Sequence, residues 1–352
     1  MMSTRIGRGL ALATLAAVVP SALAAQERFN IGGDDVAIYN LAGSVEVVGA
    51  SGGDVAVEVT RGGPDGDALD VAVGEIDGRS TLRVLYPADR VVYDGPGWGG
   101  NTTLRVREDG TWGGDEGYFS GADRVRIADG GSGMEAHADL RISVPAGRRI
   151  AVYLAVGRIE AENVDGRIRL DTHSGEVGAR RMAGHLTIDT GSGGVVVDGM
   201  EGDLLVDTGS GTVRVSAVNG DAVSIDTGSG SVVADGVVAR EIEIDTGSGG
   251  IDLRSSAADD VRLDTGSGSV DAELTRDVDR LVVDTGSGSV TLALPEDAGA
   301  RLEVETGSGG IDVDFPIMVT HRERDELTGE IGDGRGSIEI DTGSGSVRIR
   351  RS

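Results

Sequence analysis

Asp189-Thr190-Gly191-Ser192-Gly193 is the segment that decides the fold, because it returns unchanged at Asp207, Asp226, Asp245, Asp264, Asp284 and Asp341. Two variants extend the series, Asp171-Thr172-His173-Ser174-Gly175 and Glu305-Thr306-Gly307-Ser308-Gly309. Counted from Asp171, the intervals are 18, 18, 19, 19, 19, 20, 21 and 36 residues, the last of them twice the first. A fixed period of this size marks a solenoid, in which one supersecondary unit repeats along an axis because no single unit can bury its apolar row alone.

Alternation shows what each unit contains. In Leu186-Thr187-Ile188-Asp189-Thr190 the apolar residues fall at every second position, which is the strand period. Past the Gly-Ser-Gly corner a second alternating run follows, as in Val270-Asp271-Ala272-Glu273-Leu274 or Ile251-Asp252-Leu253. Two short strands per unit and no helical pattern predict an all-β chain, a parallel β-solenoid (β-helix) with coils of about 19 residues and a core of Val, Ile and Leu ladders. At ~4.8 Å per stacked strand, the coils from Asp171 to Asp341 predict a rod roughly 45 Å long. The corner glycines are read as turn formers that take positive φ at little steric cost, with Asp and Thr side chains bonding amides just ahead. Asp198-Gly199, Asn219-Gly220 and Asp235-Gly236 repeat that chemistry on the far side. By alternation the Asp column points outward and the Thr column inward.

Composition agrees with this reading and removes other classes. The chain has 352 residues, 59 of them Gly, 59 Asp or Glu and none Cys, with 3% aromatic residues and a formal charge of −27. Gly does not fall at every third position, so a collagen helix is excluded, and without Cys there is no disulfide framework. The negative field opposes nucleic acid and anionic lipid. All 32 basic residues are Arg.

The repeats occupy residues 151–352 and are preceded by other segments. Residues 1–24 read as a signal peptide, with Arg5 and Arg8 before the apolar run Leu10 to Val19 and a small-x-small site at Ala22-Leu23-Ala24. Pro20 breaks that run well short of the ~20 residues a membrane-spanning helix needs, so the mature chain is expected to be exported to the periplasm, the cell surface or the medium without a spanning segment. The chain ends in Arg348-Ile349-Arg350-Arg351-Ser352, which lacks the barrel strands of an autotransporter. Residues 25–150 read as an irregular β-rich region, in which 36–59 look like a degenerate coil and 150–160 like the last imperfect unit. A Gly-rich aromatic insertion at 94–133 reads as a surface loop or flap. A second insertion at 315–336 is placed to cover the open end of the solenoid, since an exposed terminal coil recruits other chains.

Several features together resemble the bacterial putative-adhesin family of β-strand-repeat domains of unknown function. They are the signal peptide, Phe29-Asn30-Ile31-Gly32-Gly33, Gly43-Ser44-Val45-Glu46-Val47 and the Val144-Pro145-Ala146-Gly147 lead into the repeats. The serial Thr-Gly-Ser-Gly corners and Ile331-Gly332-Asp333-Gly334 complete the set. The resemblance covers nearly all of the mature chain and implies a β-solenoid with a surface or adhesive role. Its motifs are structural corners and specify no reaction.

Candidate chemistry follows from the same residues. Asp-Thr-Gly-Ser is also the aspartic-protease signature, but a catalytic dyad needs two copies in apposed lobes, and here the motif recurs at coil spacing. The column Asp189, Asp207, Asp226, Asp245, Asp264 and Asp284 is the candidate divalent-cation (calcium) site, weighed against a solvated acidic edge; the calcium-binding nonapeptide pattern is absent. His137, His173, His185 and His321 show no metal spacing, and His173 reads as a substitution within a corner. Trp98, Trp112, Tyr118 and Phe119 form the candidate binding surface, weighed against packing of the insertion itself. The expected function is that of an exported non-enzymatic, structural or adhesin-like protein of the cell envelope that binds a protein, a glycan or another copy of itself. The alternatives are a polysaccharide-acting β-helix enzyme, and a cation-binding or ice-binding solenoid, the last through the Thr190 to Thr285 ladder.

Overall fold

The computed structural model describes residues 26–96, 98–113 and 122–352; the expected leader over 1–24 lies outside the described residues. Among these the one helical element is the 3-10 turn Gly66–Ala68, and the strands form a large sheet and a separate four-stranded one. No helix of the described residues is long and apolar enough to cross a membrane.

The large sheet is parallel-rich and wound like a solenoid. On its first face Leu186 pairs with Leu204, Leu204 with Val223, Val223 with Ile242, Ile242 with Val261 and Val261 with Leu281, all in parallel. The second face repeats this through Val195, Val213, Val232, Ile251, Val270 and Val290. Inward residues of both faces belong to one apolar cluster. The column Ile188, Val206, Ile225, Ile244, Leu263 and Val283 is buried throughout, and each such side chain removed from water is worth ~1.5–3 kcal/mol.

The corners hold these strands in register. Thr190, Thr208, Thr227, Thr246, Thr265, Thr285, Thr306 and Thr342 are all buried, as alternation predicts. The ice-binding reading therefore loses its hydroxyl row. From Thr246 onward the buried hydroxyl works twice. In the corner of Thr265 it accepts the N–H of Gly268 in its own coil at 3.0 Å and donates to the carbonyl of Gly249 in the preceding coil at 2.8 Å. Thr246, Thr285, Thr306 and Thr342 repeat the pattern.

Glycine is required at these corners chiefly for a different reason than the sequence suggests. Gly211 does have a positive φ, of 152°, but Gly230, Gly249, Gly268 and Gly288 do not. What they share is proximity to the coil below: a Cβ on Gly249 would lie 1.8 Å from the carbonyl oxygen of Gly230, and one on Gly268 the same distance from that of Gly249. The strained backbone sits instead at the far corner. There Asn163, Arg181, Gly199, Ala217, Gly236 and Ser255 form a column of positive φ.

Chain order and stacking order part at both ends. Coil 35–50 stacks directly on strand Arg148–Glu162, with Val36 beside Ile150 and Val45 beside Ile159. Residue 150 therefore falls inside a strand, and residues 51–147 leave and rejoin the stack. At the other end, Gly336–Thr342 lies between Arg280–Thr285 and Ala300–Thr306, and Val347–Arg351 lies between Val290–Leu294 and Ile311–Val313. The last coil in sequence is thus the penultimate one in space, which corrects the simple serial stacking. The hairpin Ile317–Arg322 and Glu326–Ile331 then adds two antiparallel strands beyond Ala300–Thr306.

The first insertion is a flap. Asn101–Val106, Asp123–Ala128, Arg90–Val92 and Met134–Glu135 make the four-stranded sheet. A second apolar cluster joins it to the rod, Val91, Leu104, Trp112, Val125 and Ile127 packing with Ala37, Tyr153, Ala155 and Val156.

Gly249→Ala is expected to cost about 1–3 kcal/mol, since a methyl there overpacks against backbone that cannot rotate away. Gly194→Ala, where the nearest atom to a Cβ is 3.7 Å away, should change stability by less than about 0.5 kcal/mol. Chemical denaturation of the two variants compares them directly.

Candidate functional site

The outer side of the first face changes character along the rod. Asp207, Asp226, Asp245, Asp264, Asp284, Asp341 and Glu305 stack in one row of carboxylates. Toward the flap, the same position becomes Asp171, then Tyr153 and Tyr39. The Tyr39 and Tyr153 rings lie 4.5 Å apart and 3° from parallel, and Trp112 of the flap meets Tyr153 edge-on at 5.9 Å. Burial, with Tyr153 as a neighbour, pushes the Tyr39 hydroxyl up to about 12. It is an uncharged group at any physiological pH.

Arginines surround these rings. Arg79 and Arg149 share Asp35, at 2.9 and 3.3 Å, and Arg169 bridges Asp171 and Asp189 at 3.0 and 2.8 Å. Arg167, in register beside Arg149, is exposed and makes no ion pair among the described residues. Two adjoining clefts meet at Arg169. One, of about 370 Å³, lies between flap and rod and is lined by Leu104, Arg105, Trp112 and Gly113 on one side and by Arg169, Asp171, Thr172, His173 and Asp189 on the other. The second, of about 520 Å³, is lined by Arg79, Arg149, Tyr153, Arg167, Arg169 and His185. The Thr172 hydroxyl and the Trp112 indole N–H are buried without a hydrogen-bond partner in the protein. Buried donors of this kind normally find a partner, so the groove has unused hydrogen-bonding capacity. Burial lowers the His173 imidazole below its ordinary value, which keeps it neutral near pH 7.

The residues singled out from sequence divide three ways. Trp112 is 5% exposed and anchors the flap, while Trp98 is half-buried against the same cluster; packing claims most of both, and Trp112 also walls the groove. Tyr118 and Phe119 lie outside the described residues. Asp189, Asp207, Asp226, Asp245, Asp264 and Asp284 form a single file with one carboxylate per coil. Among the described residues no three His, Cys, Asp or Glu side chains are grouped so as to hold a metal ion. Periodicity does not flag Arg79, Arg149, Arg167, Arg169, Tyr39 or Tyr153, which fall in the imperfect coils. The available signal was that Tyr stands at the repeat's Asp position there, and that the variant corner, at His173, faces the flap.

A family model described as Toastrack DUF4097 matches residues 142–350. No curated protein matches the chain. Among solved structures, that of a putative adhesin from Bacteroides fragilis is 11% identical, covers 92% of this chain and 96% of its own, and superposes with a TM-score of 0.35. That of a putative cell adhesion protein from Clostridium sporogenes is 11% identical, covers 93% and 99%, and gives a TM-score of 0.21.

The carboxylate row makes a prediction of definite sign. Burial, then the neighbouring carboxylates, raise Asp245 and Asp284 above the usual range, and Asp207 is raised by burial and Asp189. A carboxyl raised in the folded state binds protons there more readily than in the unfolded chain, so its contribution to stability falls as pH rises through that range. Asp245→Asn should therefore raise the melting temperature at pH 7, and the gain should shrink as the pH is lowered through the carboxylate range. A melt series across pH on both proteins measures it.

Proposed function

The chain belongs to the Toastrack DUF4097 family, and from that premise we propose that it is an exported, non-enzymatic, adhesin-like binding protein of the cell envelope. Its repeats, taken as β-solenoid coils of about 19 residues, are the scaffold, and the clefts beside the flap are the binding site for an acidic glycan. The adhesive part of this reading comes from the family resemblance carried by the serial corners.

One observation carries the ligand class. A chain of net charge −27 gathers Arg79, Arg105, Arg149, Arg167 and Arg169 around two clefts. Guanidinium groups take carboxylate and sulfate groups with paired hydrogen bonds. Arg167 and Arg105 are exposed and make no ion pair among the described residues, so both are free to do so. The neutral His173 and the unpartnered Thr172 hydroxyl offer further polar contacts to ring hydroxyls. Arg105 comes from the flap and Arg169 from the rod, so a ligand in the groove touches both.

An enzymatic reading is less favoured by the same geometry. Glycoside hydrolysis needs two carboxyl groups with different protonation states. Here the two carboxylates that line the groove, Asp171 and Asp189, are both ion-paired to the one guanidinium of Arg169.

Arg167→Glu should weaken binding of a sulfated or uronic-acid oligosaccharide by at least about tenfold, the loss of one charge-assisted contact, and leave the melting temperature unchanged. Titration calorimetry at two salt concentrations gives the affinity and its electrostatic share. Equal affinity for neutral and acidic oligosaccharides would remove the proposed ligand class. Release of new reducing ends over time would replace binding by the hydrolytic alternative.

A further inference from the structure

A further cleft at the base of the flap carries the opposite charge to the arginine-lined groove. It has a volume of about 410 Å³ and lies between residues 92–96 and Glu135 on the flap side and Ser44, His137 and Asp139 on the rod side. Strand His137–Pro145 pairs with coil 35–50 along the edge away from coil 148–162, so the two clefts sit on opposite flanks of the flap. Asp94, Glu135 and Asp139 line this one, and no arginine does. Asp94 and Glu135 are exposed and make no ion pair among the described residues, while Asp139 has the His137 imidazole at 3.9 Å.

Backbone groups fix two of these residues in place. The N–H and the hydroxyl of Ser44 both donate to Asp139, at 2.8 and 2.7 Å. Glu135 is clasped through its main chain, its N–H donating to the Asp65 carboxylate at 2.9 Å and its carbonyl accepting the Asp65 N–H at 3.1 Å. That clasp leaves the Glu135 carboxylate unused. A buried group points into the same space. Tyr93 is 5% exposed and packs its ring on His137 with centroids 5.3 Å apart, yet its hydroxyl makes no hydrogen bond among the described residues. Gly95 leaves that hydroxyl uncovered, since a Cβ there would fall 2.0 Å from the oxygen. Burial, then the charge of Asp139, push the Tyr93 hydroxyl up to about 12, so it is a neutral donor and acceptor. Buried hydroxyls normally find a partner, and the space open to this one is the cleft.

The chemistry of the lining selects the ligand. Among the described residues no three His, Asp or Glu side chains are grouped so as to hold a metal ion, so the negative charge is spread along the cleft. Pro64, Val92 and Pro96 give the same lining an apolar part. Spread carboxylates with apolar surface match an aliphatic chain that carries an ammonium group at each end. An ammonium has three N–H donors, enough for two carboxylates and a hydroxyl. We propose that this cleft is a binding site for a small aliphatic diamine, whose ammonium groups pair with Asp94, Glu135 and Asp139 and donate one N–H to the Tyr93 hydroxyl.

Titration calorimetry of the full chain with putrescine tests this. Any cation is drawn to a chain of charge −27, so the deciding variant is Tyr93→Phe, which removes no charge. Wild type should bind saturably. Tyr93→Phe should bind about tenfold more weakly, the loss of one hydrogen bond to a charged group, and should keep the wild-type melting temperature because the hydroxyl bonds nothing in the protein. Glu135→Gln keeps the main-chain clasp and should weaken binding by a similar factor, which covers the case in which Tyr93→Phe disturbs the flap. Asp245→Asn, in the carboxylate row of the rod, should bind as wild type does. Absence of saturable binding to the wild type would overturn the proposal. So would equal affinity in Tyr93→Phe, or displacement of putrescine by an equal concentration of calcium, since either would reduce the site to diffuse charge.

Discussion

The close approach of one coil's corner to the next is the constraint on which the rest of the molecule depends. Backbone atoms of successive Gly-Ser-Gly corners meet at distances that leave no room for a Cβ: the methyl position of Gly230 would fall 1.7 Å from the carbonyl oxygen of Gly211. That approach brings the buried Thr hydroxyl within bonding distance of two corners at once, so each coil is tied to the one below by a side-chain bond as well as by its strand ladder. Register follows, because a slip of one residue would place Asp where Thr is buried and turn every apolar row outward. The tie is incomplete in the coils before Thr246. Thr172, Thr190, Thr208 and Thr227 are buried with hydroxyls that find no protein partner, and this is the part of the rod nearest the flap.

How far the sequence could be read follows from that constraint. The repeated corner is a consequence of stacking, so its period, the inward Thr column and the outward Asp column were all legible. The cause of the glycines was not, because a residue chosen for positive φ and one chosen for lack of a Cβ are the same letter. The place of the final coil was equally hidden. Nothing in Ile338-Glu339-Ile340-Asp341-Thr342 distinguishes a strand that follows Thr306 from one that slips in beside Thr285. The candidate site was least legible of all, since Arg79, Arg149 and Arg167 acquire meaning only when coils 35–50, 148–162 and 165–180 are neighbours and the flap is laid across them. Aromatic residues in the insertion drew attention to the flap, while the structure gives Trp112 mainly to the joint.

A scaffold of this kind separates stability from recognition. Inward residues are fixed by the stack, and outward residues are free to differ coil by coil, which is why one row can pass from Asp through Asp171 to Tyr153 and Tyr39 without disturbing the ladder. Carboxylates dominate the row where nothing covers it, at some electrostatic cost that water screens. Aromatic and guanidinium groups replace them where the flap lies against the rod. Recognition is therefore expected where the repeat is least regular.

The intercalated last coil shows how the same stack deals with a chain end. Thr342 pairs beside Thr285 across a separation of 57 residues, roughly three times that of an ordinary coil step. Loop closure grows only as the logarithm of length, so the extra separation costs about 1 kcal/mol. In exchange, the C-terminal strands are paired on both sides instead of lying at the rim, and Thr342 makes the same two bonds as Thr265, one of them to the carbonyl of Gly288. A terminal strand left at the rim would fray, with ladder bonds on one side only. Placing it inside transfers the rim to coil 300–313 and its hairpin, whose connections on both sides hold it in place. The outermost strand is thereby made from an internal segment, Ile317–Arg322, whose two ends both continue into the stack.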